Sequence, residues 1–403
     1  MRNKLVLILL YVFVDVLGFS LILPLLPYYA TSFGASSTVV GLLLAANAVT
    51  QFVGAPLLGR LSDRYGRRPL LLVSLMGTVA AFLMLGLAKS LWMLFLSRIV
   101  DGLLGGNISL AQAYITDITS DRDRARGLGF IGAAFGFGFI FGPAIGGTLA
   151  AHGNYALPAL LAAGLSAINL VGIWLWLPES LPPAKRTQMA QSPGTAITAR
   201  ALWAALRRPC VGPLLNLRLF FGLAFTMFQT VFAIFAQKRL GYDAQATSYV
   251  LTYVGILVVA VQGFGIALLT RRLSDKQLIF GGSIALSLSL LAWAFTPSLW
   301  VLLIVLAPIA LSGGVLGVVS NSALTKSVQP EEYGGTLGLS SALDSLTRVV
   351  SPIVGGFLID RVGAGGPGIL GTLLMAGLAL FAWRRILFVP DLSCPAPDSL
   401  PRP

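Results

Sequence analysis

The sequence predicts an all-α integral membrane protein whose twelve transmembrane helices form two pseudo-symmetric six-helix bundles. Three observations carry that expectation. Hydrophobic residues make up 56% of the 403 and charged residues only 11%, whereas a water-soluble domain needs about 25% charged residues to clothe its surface. Apolar runs long enough to cross a bilayer recur along the whole chain. Short identities in the first half also return, in the same order, in the second.

A hydrocarbon core about 30 Å thick calls for roughly 20 apolar residues per helix. The first such run, 5–29, follows Arg2 and Lys4, as a signal peptide would. It is too long for a signal h-region, contains Asp15, Pro24 and Pro27, and has no small-residue cleavage site. It therefore reads as a retained first span. Runs 39–59 and 69–88 flank an arginine-rich loop, 91–115 carries Arg98 and Asp101, 127–151 is rich in glycine, and 155–177 is almost wholly apolar. A polar segment with Pro182, Pro183, Pro193 and Gly194 follows. Then come 211–237 with its phenylalanines, 245–270, 277–296, 299–323, 334–359 with Asp344 and Arg348, and 366–388. The domains expected are an N-terminal bundle over 1–177, a linker over 178–209, a C-terminal bundle over 210–390 and a tail over 391–403.

In a soluble protein the net charge of +13 would suggest nucleic acid. Here it is topological. With the N-terminus in the cytoplasm, most Lys and Arg fall on the cytoplasmic side, in clusters at Arg60, Arg64, Arg67 and Arg68, at Arg122, Arg124 and Arg126, at Arg207 and Arg208, and at Arg271 and Arg272. That asymmetry is the positive-inside rule and places both termini in the cytoplasm. Cys210 and Cys394 are too few for a disulfide framework or metal site, and His152 is the single histidine. No cofactor, metal or nucleic-acid partner is expected. An enzyme is not expected either, because nothing forms an activated nucleophile, and no phosphate-binding G-x-x-x-x-G-K-[ST] loop exists.

The internal repeat points to function. Ser90-Leu91-Trp92 returns as Ser298-Leu299-Trp300, Arg60-Leu61-Ser62-Asp63 as Arg272-Leu273-Ser274-Asp275, and Pro143 with Gly146-Gly147 as Pro352 with Gly355-Gly356. Parallel repeats about the membrane normal, with a site between them near mid-depth, are a carrier architecture.

The loop after the second span reads Gly59-Arg60-Leu61-Ser62-Asp63-Arg64-Tyr65-Gly66-Arg67-Arg68-Pro69, a tight turn with glycines for unusual backbone angles. It resembles the G-x-L-a-D-r-x-G-r-k signature of the major facilitator superfamily. Arg98 with Gly102 is similar to that superfamily's R-x-x-x-G element, although Asp101 stands where glutamine is usual. Gly138-Phe139-Ile140-Phe141-Gly142-Pro143-Ala144-Ile145-Gly146-Gly147 matches the fifth-span signature of its drug/proton antiporters. Asp15 followed by Leu23-Pro24-Leu25-Leu26-Pro27 is similar to tetracycline/proton exporters. The best-known of those place a histidine in the eighth span and an aspartate in the ninth, linked to a metal–drug chelate; this chain has neither. The resemblance implies the major facilitator fold and proton-driven export. It also implies conformational roles for Gly59, Asp63, Arg64, Gly66, Arg67, Asp117, Gly138, Gly142, Pro143, Gly146 and Gly147. Asp63 is expected near the N-terminus of the eleventh helix, where an anion is favoured, and Asp117 to pair with a loop arginine. Gly132/Gly136 and Gly138/Gly142/Gly146 are also spaced for close helix packing.

Asp15, Asp101 and Asp344 lie near mid-depth, where an acid costs about 2.5–3.5 kcal/mol on insertion scales and is kept for a wet cavity or a partner. In the fourth span Arg98, Asp101, Gly105, Ser109 and Gln112 share one face; in the eleventh Ser341, Asp344, Arg348 and Ser351 do. Arg98–Asp101 and Asp344–Arg348 are spaced to pair along their own helices. Asp15 has no basic residue in its helix, which suits a group that loads a proton on one side and releases it on the other. Proton coupling is accordingly assigned to Asp15, Arg98 and Asp101. Substrate binding is assigned to Asp15, Asn47, Gln51, Asp101, Gln112, Gln229, Asp344 and Arg348, with Asn107, Gln262 and Asn321 as further cavity candidates. Arg218 is placed to reach either the headgroups or the site. Phe225, Phe228, Phe232 and Phe235 form a stripe that serves packing, lipid contact or an aromatic drug wall.

The function expected is proton-coupled export of small amphiphilic drugs by alternating access, by a monomer with both termini in the cytoplasm of a cell inner membrane. The alternatives are a carrier for a sugar or lipid metabolite, or a non-transporting receptor on the same fold.

Overall fold

The computed structural model describes residues 2–182, 186, 199–208, 211–328 and 333–384. Among these every regular element is helical. The first part of the chain forms α1 (Arg2–Ile22), α2 (Leu26–Ser32), α3 (Ser37–Tyr65), α4 (Arg67–Gly86), α5 (Leu91–Leu104), α6 (Asn107–Ile118), α7 (Asp121–Leu149) and α8 (Ala156–Trp176). After the linker come α9 (Ala199–Leu206), α10 (Val211–Leu240), α11 (Ala244–Ala260), a π-helical turn (Val261–Gly265), α12 (Ile266–Arg272), α13 (Asp275–Ala294), α14 (Leu299–Lys326), α15 (Tyr333–Arg361) and α16 (Gly366–Ala382). Eleven helical segments among the described residues are long and apolar enough to cross a membrane, and Gly366–Ala382 is a shorter apolar helix. Most of the linker, Cys210 and the tail lie outside the described residues.

Three spans expected as single helices are interrupted. The first breaks at Leu23-Pro24-Leu25, where proline lacks the N–H that would continue the ladder; α2 then restarts with Pro27 in its first turn, where no N–H is needed. The fourth breaks at Gly105-Gly106. Carbonyls freed inside a membrane must find donors. Gln51 donates to the Gly105 carbonyl at 3.2 Å, and the Ser74 hydroxyl donates to that of Leu104. The eighth is split by the π-helical turn, a one-residue slip of the kind found at functional sites.

The described residues group into two compact units, Met1–Gly194 with Ala233–Ile256, and Thr195–Phe232 with Leu257–Pro403. Residues 233–256, expected in the C-terminal bundle, therefore group with the first unit. Side-chain bonds show why: the Tyr28 hydroxyl donates to the Tyr242 carbonyl at 3.0 Å and lies 2.5 Å from Thr247 Oγ1, and Gln237 donates to Thr31 at 3.1 Å. The first unit's core gathers Tyr11, Leu71, Leu75, Leu110 and Tyr114, all fully buried. In the second, Trp293 is fully buried between Phe228, edge-on at 5.0 Å, and Phe232, stacked at 6.4 Å. Of the uses open to the phenylalanine stripe, packing is therefore what Phe228, Phe232 and Phe235 serve; all three are buried. Meanwhile Phe264 is 83% exposed, Trp300 75% and Ile304 72%, a surface that suits lipid rather than water.

Candidate transport site and conformational motifs

The first unit holds two polar clusters within its spans. In one, the Asn107 amide at the start of α6 donates to Asp15 Oδ1 on α1 at 2.5 Å and to Thr78 Oγ1 on α4 at 3.0 Å. The break at Gly105-Gly106 matters here, since it opens a new helix whose first residue reaches across to α1. Asp15 is half-buried and has no basic partner among the described residues. Around it, Tyr11 Oη and Asn107 Oδ1 are buried without a hydrogen-bond partner among the described residues. The second cluster joins α3 and α5. Asn47 donates to Asp101 Oδ2 at 3.0 Å and to the Arg98 carbonyl at 3.2 Å, and the Arg98 guanidinium reaches Asp101 at 3.3 Å. Arg98 is buried and also lies over the Phe82 ring at 5.8 Å. Gln51 serves the Gly105 carbonyl, while Gln112 is exposed.

The second unit corrects one expectation. Asp344 on α15 does not pair with Arg348. Its two oxygens are taken by Arg218 of α10, Nε at 3.0 Å and Nη2 at 2.7 Å, and Arg218 Nη1 donates to Asn321 Oδ1 of α14 at 2.8 Å. The planar guanidinium of Arg218 meets both carboxylate oxygens in a two-bond fork. Arg218 is thus tied into the interior rather than reaching toward headgroups. Arg348, Gln229 and Gln262 are exposed.

The arginine-rich loop forms a third cluster. α3 continues through Gly59 and Asp63 to Tyr65, so Gly59 is helical, and Gly66 alone, at φ 107°, makes the turn. That backbone suits only glycine, and a Cβ there would also press on the Glu179 carboxylate, 2.9 Å from Cδ. Arg67 is buried and binds Asp63 at 2.6 Å, Asp117 of α6 at 3.2 Å and Ser62 Oγ at 2.5 Å. Ser180 adds a hydrogen bond to Asp117 at 3.0 Å. Arg64 remains outside, over the Tyr65 ring at 5.4 Å. Glu179, beyond α8, accepts from the backbone N–H groups of Arg67 at 2.8 Å and Arg68 at 3.3 Å and pairs with Arg186 at 3.6 Å. Its charge thus sits on the N-terminus of α4, where the unpaired amides and helix dipole favour an anion.

The glycines of α7 work by close approach. A Cβ at Gly142 would stand 2.7 Å from Ser20 Cβ and 2.9 Å from the Ser20 carbonyl carbon; one at Gly138 would meet Val16, and one at Gly146 the Leu21 carbonyl. Ser20 fastens the contact by donating to the Gly138 carbonyl at 2.7 Å. Gly147 faces the other way, onto Ser248 of α11, and Gly255 of α11 returns the contact, its Cβ position 2.6 Å from the Phe139 carbonyl oxygen. Pro143 is buried within the helix. Gly132, in contrast, meets nothing within 4 Å, so it is not one of the packing glycines.

Glu179, Thr78, Ser20 and the Arg218–Asp344 pairing escaped the sequence reading. Glu179 had one visible signal, as an acid directly after an apolar span, but its partner lies over a hundred residues away.

The family model described as Major Facilitator Superfamily matches residues 8–296 and, in a second overlapping match, 214–398. Tetracycline resistance protein, class C, of Escherichia coli is 33% identical over 356 residues, covering 88% of this chain and 89% of its own. Tetracycline resistance protein, class D, of Salmonella ordonez is 32% identical, covering 94% and 95%. Among solved structures, nucleoside transporter NupG superposes with a TM-score of 0.79 at 14% identity, covering 96% of this chain and 100% of its own, which speaks for the fold alone. The chain belongs to the major facilitator superfamily and is a multi-pass membrane transporter.

Proposed function

Starting from that membership, we propose that the chain exports small amphiphilic drugs from a bacterial cytoplasm across the inner membrane, in exchange for protons. The observation that carries the reading is Asp15: a carboxylate inside the first span, held by Asn107 and without a basic partner among the described residues. An acid kept inside a span with no base to neutralise it marks a proton or substrate path. The Arg98–Asp101–Asn47 cluster of the same unit supplies a second carboxylate within the spans. Transport proceeds by alternating access; Arg67, Asp63 and Asp117 hold one arrangement through the α3–α4 loop, and the α7 glycines give α1 and α11 a surface on which to bear. Each proton moving down the potential supplies about 2.3 kcal/mol per 100 mV. The resistance relatives are named for a drug, which favours drug export over metabolite uptake.

The test is dye or drug uptake into inverted vesicles with and without an imposed pH gradient. Wild type should accumulate substrate only with the gradient, and Asp15→Asn should abolish that dependence while the protein stays in the membrane. Uptake indifferent to the gradient in wild type would end the proton-coupling reading.

A further inference from the structure

Arg348 is exposed at the middle of α15 and has no ionic or hydrogen-bond partner among the described residues. Its natural counter-ion, Asp344 one turn earlier, is already occupied on both oxygens by Arg218. Among the described residues, α10 and α15 therefore hold two guanidinium groups, Arg218 and Arg348, against the one carboxylate of Asp344 at this level. A guanidinium left facing acyl chains is costly, so the direction of its face matters. Arg348 shares its face with Ser341 and Asp344, and that face is met by Arg218 of α10 and Asn321 of α14. Gln229, exposed and three turns along α10 from Arg218, extends the same polar side. The Arg218–Asp344–Asn321 bonds hold this framework in place and leave Arg348, among the described residues of this cluster, with its donors unused.

We infer that Arg348 is the anchor for an anionic group, a carboxylate or sulfonate, on the substrate, so that this carrier takes amphiphiles bearing a negative charge. Arg348 supplies the planar fork that such groups accept in two parallel bonds. Asp344 acts as a positioning residue: it neutralises Arg218 and keeps it from competing for the anion. The inference rests on the transport reading above but concerns only the substrate's charge, and the two fail separately.

The test compares two aromatic dyes of similar size, anionic fluorescein and cationic rhodamine 6G, binding to the purified full chain in detergent by fluorescence polarisation. Fluorescein should bind saturably. Arg348→Gln should weaken it at least about tenfold, which is about 1.4 kcal/mol, and Arg348→Lys should weaken it less, because the charge stays and the fork is lost. Rhodamine 6G binding should be unchanged or stronger in Arg348→Gln. Failure of wild type to bind fluorescein, or an equal loss of both dyes on Arg348→Gln, would overturn the assignment. Thermal unfolding of each variant identifies loss by misfolding; if Arg348→Gln does not fold, Arg348→Lys decides by the same comparison. Whether vesicle uptake of any transported dye depends on an imposed pH gradient reports on proton-coupled export separately from the charge preference.

Discussion

Three glycines on α7 offer a controlled comparison, because one chemical change meets different surroundings on the same helix. Gly142→Ala places a methyl 2.7 Å from Ser20 Cβ and 2.9 Å from the Ser20 carbonyl carbon. A rotamer change of Ser20 moves only its hydroxyl, so the methyl still meets the α1 backbone and the two helices must separate. Overpacking of this kind costs about 1–3 kcal/mol. Separation also stretches the Ser20 hydroxyl bond to the Gly138 carbonyl, 2.7 Å in the native contact and worth about 0.6 kcal/mol by the mean of membrane measurements. Gly129→Ala and Gly132→Ala put the same methyl where nothing lies within 4 Å. There the smaller entropy of the unfolded chain should stabilise by about 0.4–1 kcal/mol. The gap between Gly142→Ala and either control should be about 2–5 kcal/mol. It is measured by unfolding the purified variants in a detergent–denaturant series followed by circular dichroism. Equal midpoints for Gly142→Ala and Gly132→Ala would refute the account of α7 as a helix built for contact with α1.

Phe232→Ala empties the space beside fully buried Trp293 and should destabilise by about 3–5 kcal/mol, whereas Phe225→Ala, at a half-buried position, should cost less in the same unfolding assay. Glu179→Ala removes the anion from the N-terminus of α4 and should cost about 0.5–2 kcal/mol, with Glu179→Gln retaining part of the loss as a neutral acceptor; identical stabilities would discount the cap. Asp63→Asn breaks the 2.6 Å contact with Arg67 and should lower transport while membrane levels stay near wild type, as read by uptake normalised to immunoblot; unchanged uptake argues against a conformational role.

The twelve apolar stretches were legible in the chain because membrane burial acts residue by residue. A helix that satisfies its own backbone needs only about 20 apolar side chains to be stable in lipid, so the span limits survive without knowledge of neighbours. The glycine spacing in 138–147 was legible for the same reason: small residues at fixed helical intervals mark one face before its partner is known. Asp15 stood out because no base lies within a helical turn of it.

What the chain could not disclose is which groups meet across helices. Arg348 and Arg218 each offer Asp344 a guanidinium; one is four residues away and the other is 126. Local spacing favours the first, and the packing of α10 against α15 decides for the second, because only it presents the fork to both oxygens. Glu179 and Asn107 are the same kind of case, recruited by helix ends that open where glycines interrupt the chain. By itself the amino-acid order determined that this is a transporter-like bundle of apolar helices carrying a few mid-depth charges. Tertiary structure alone decided which of those charges are spent on one another and which is left with its donors unused, since electrostatic pairing depends on distance through space and not along the chain.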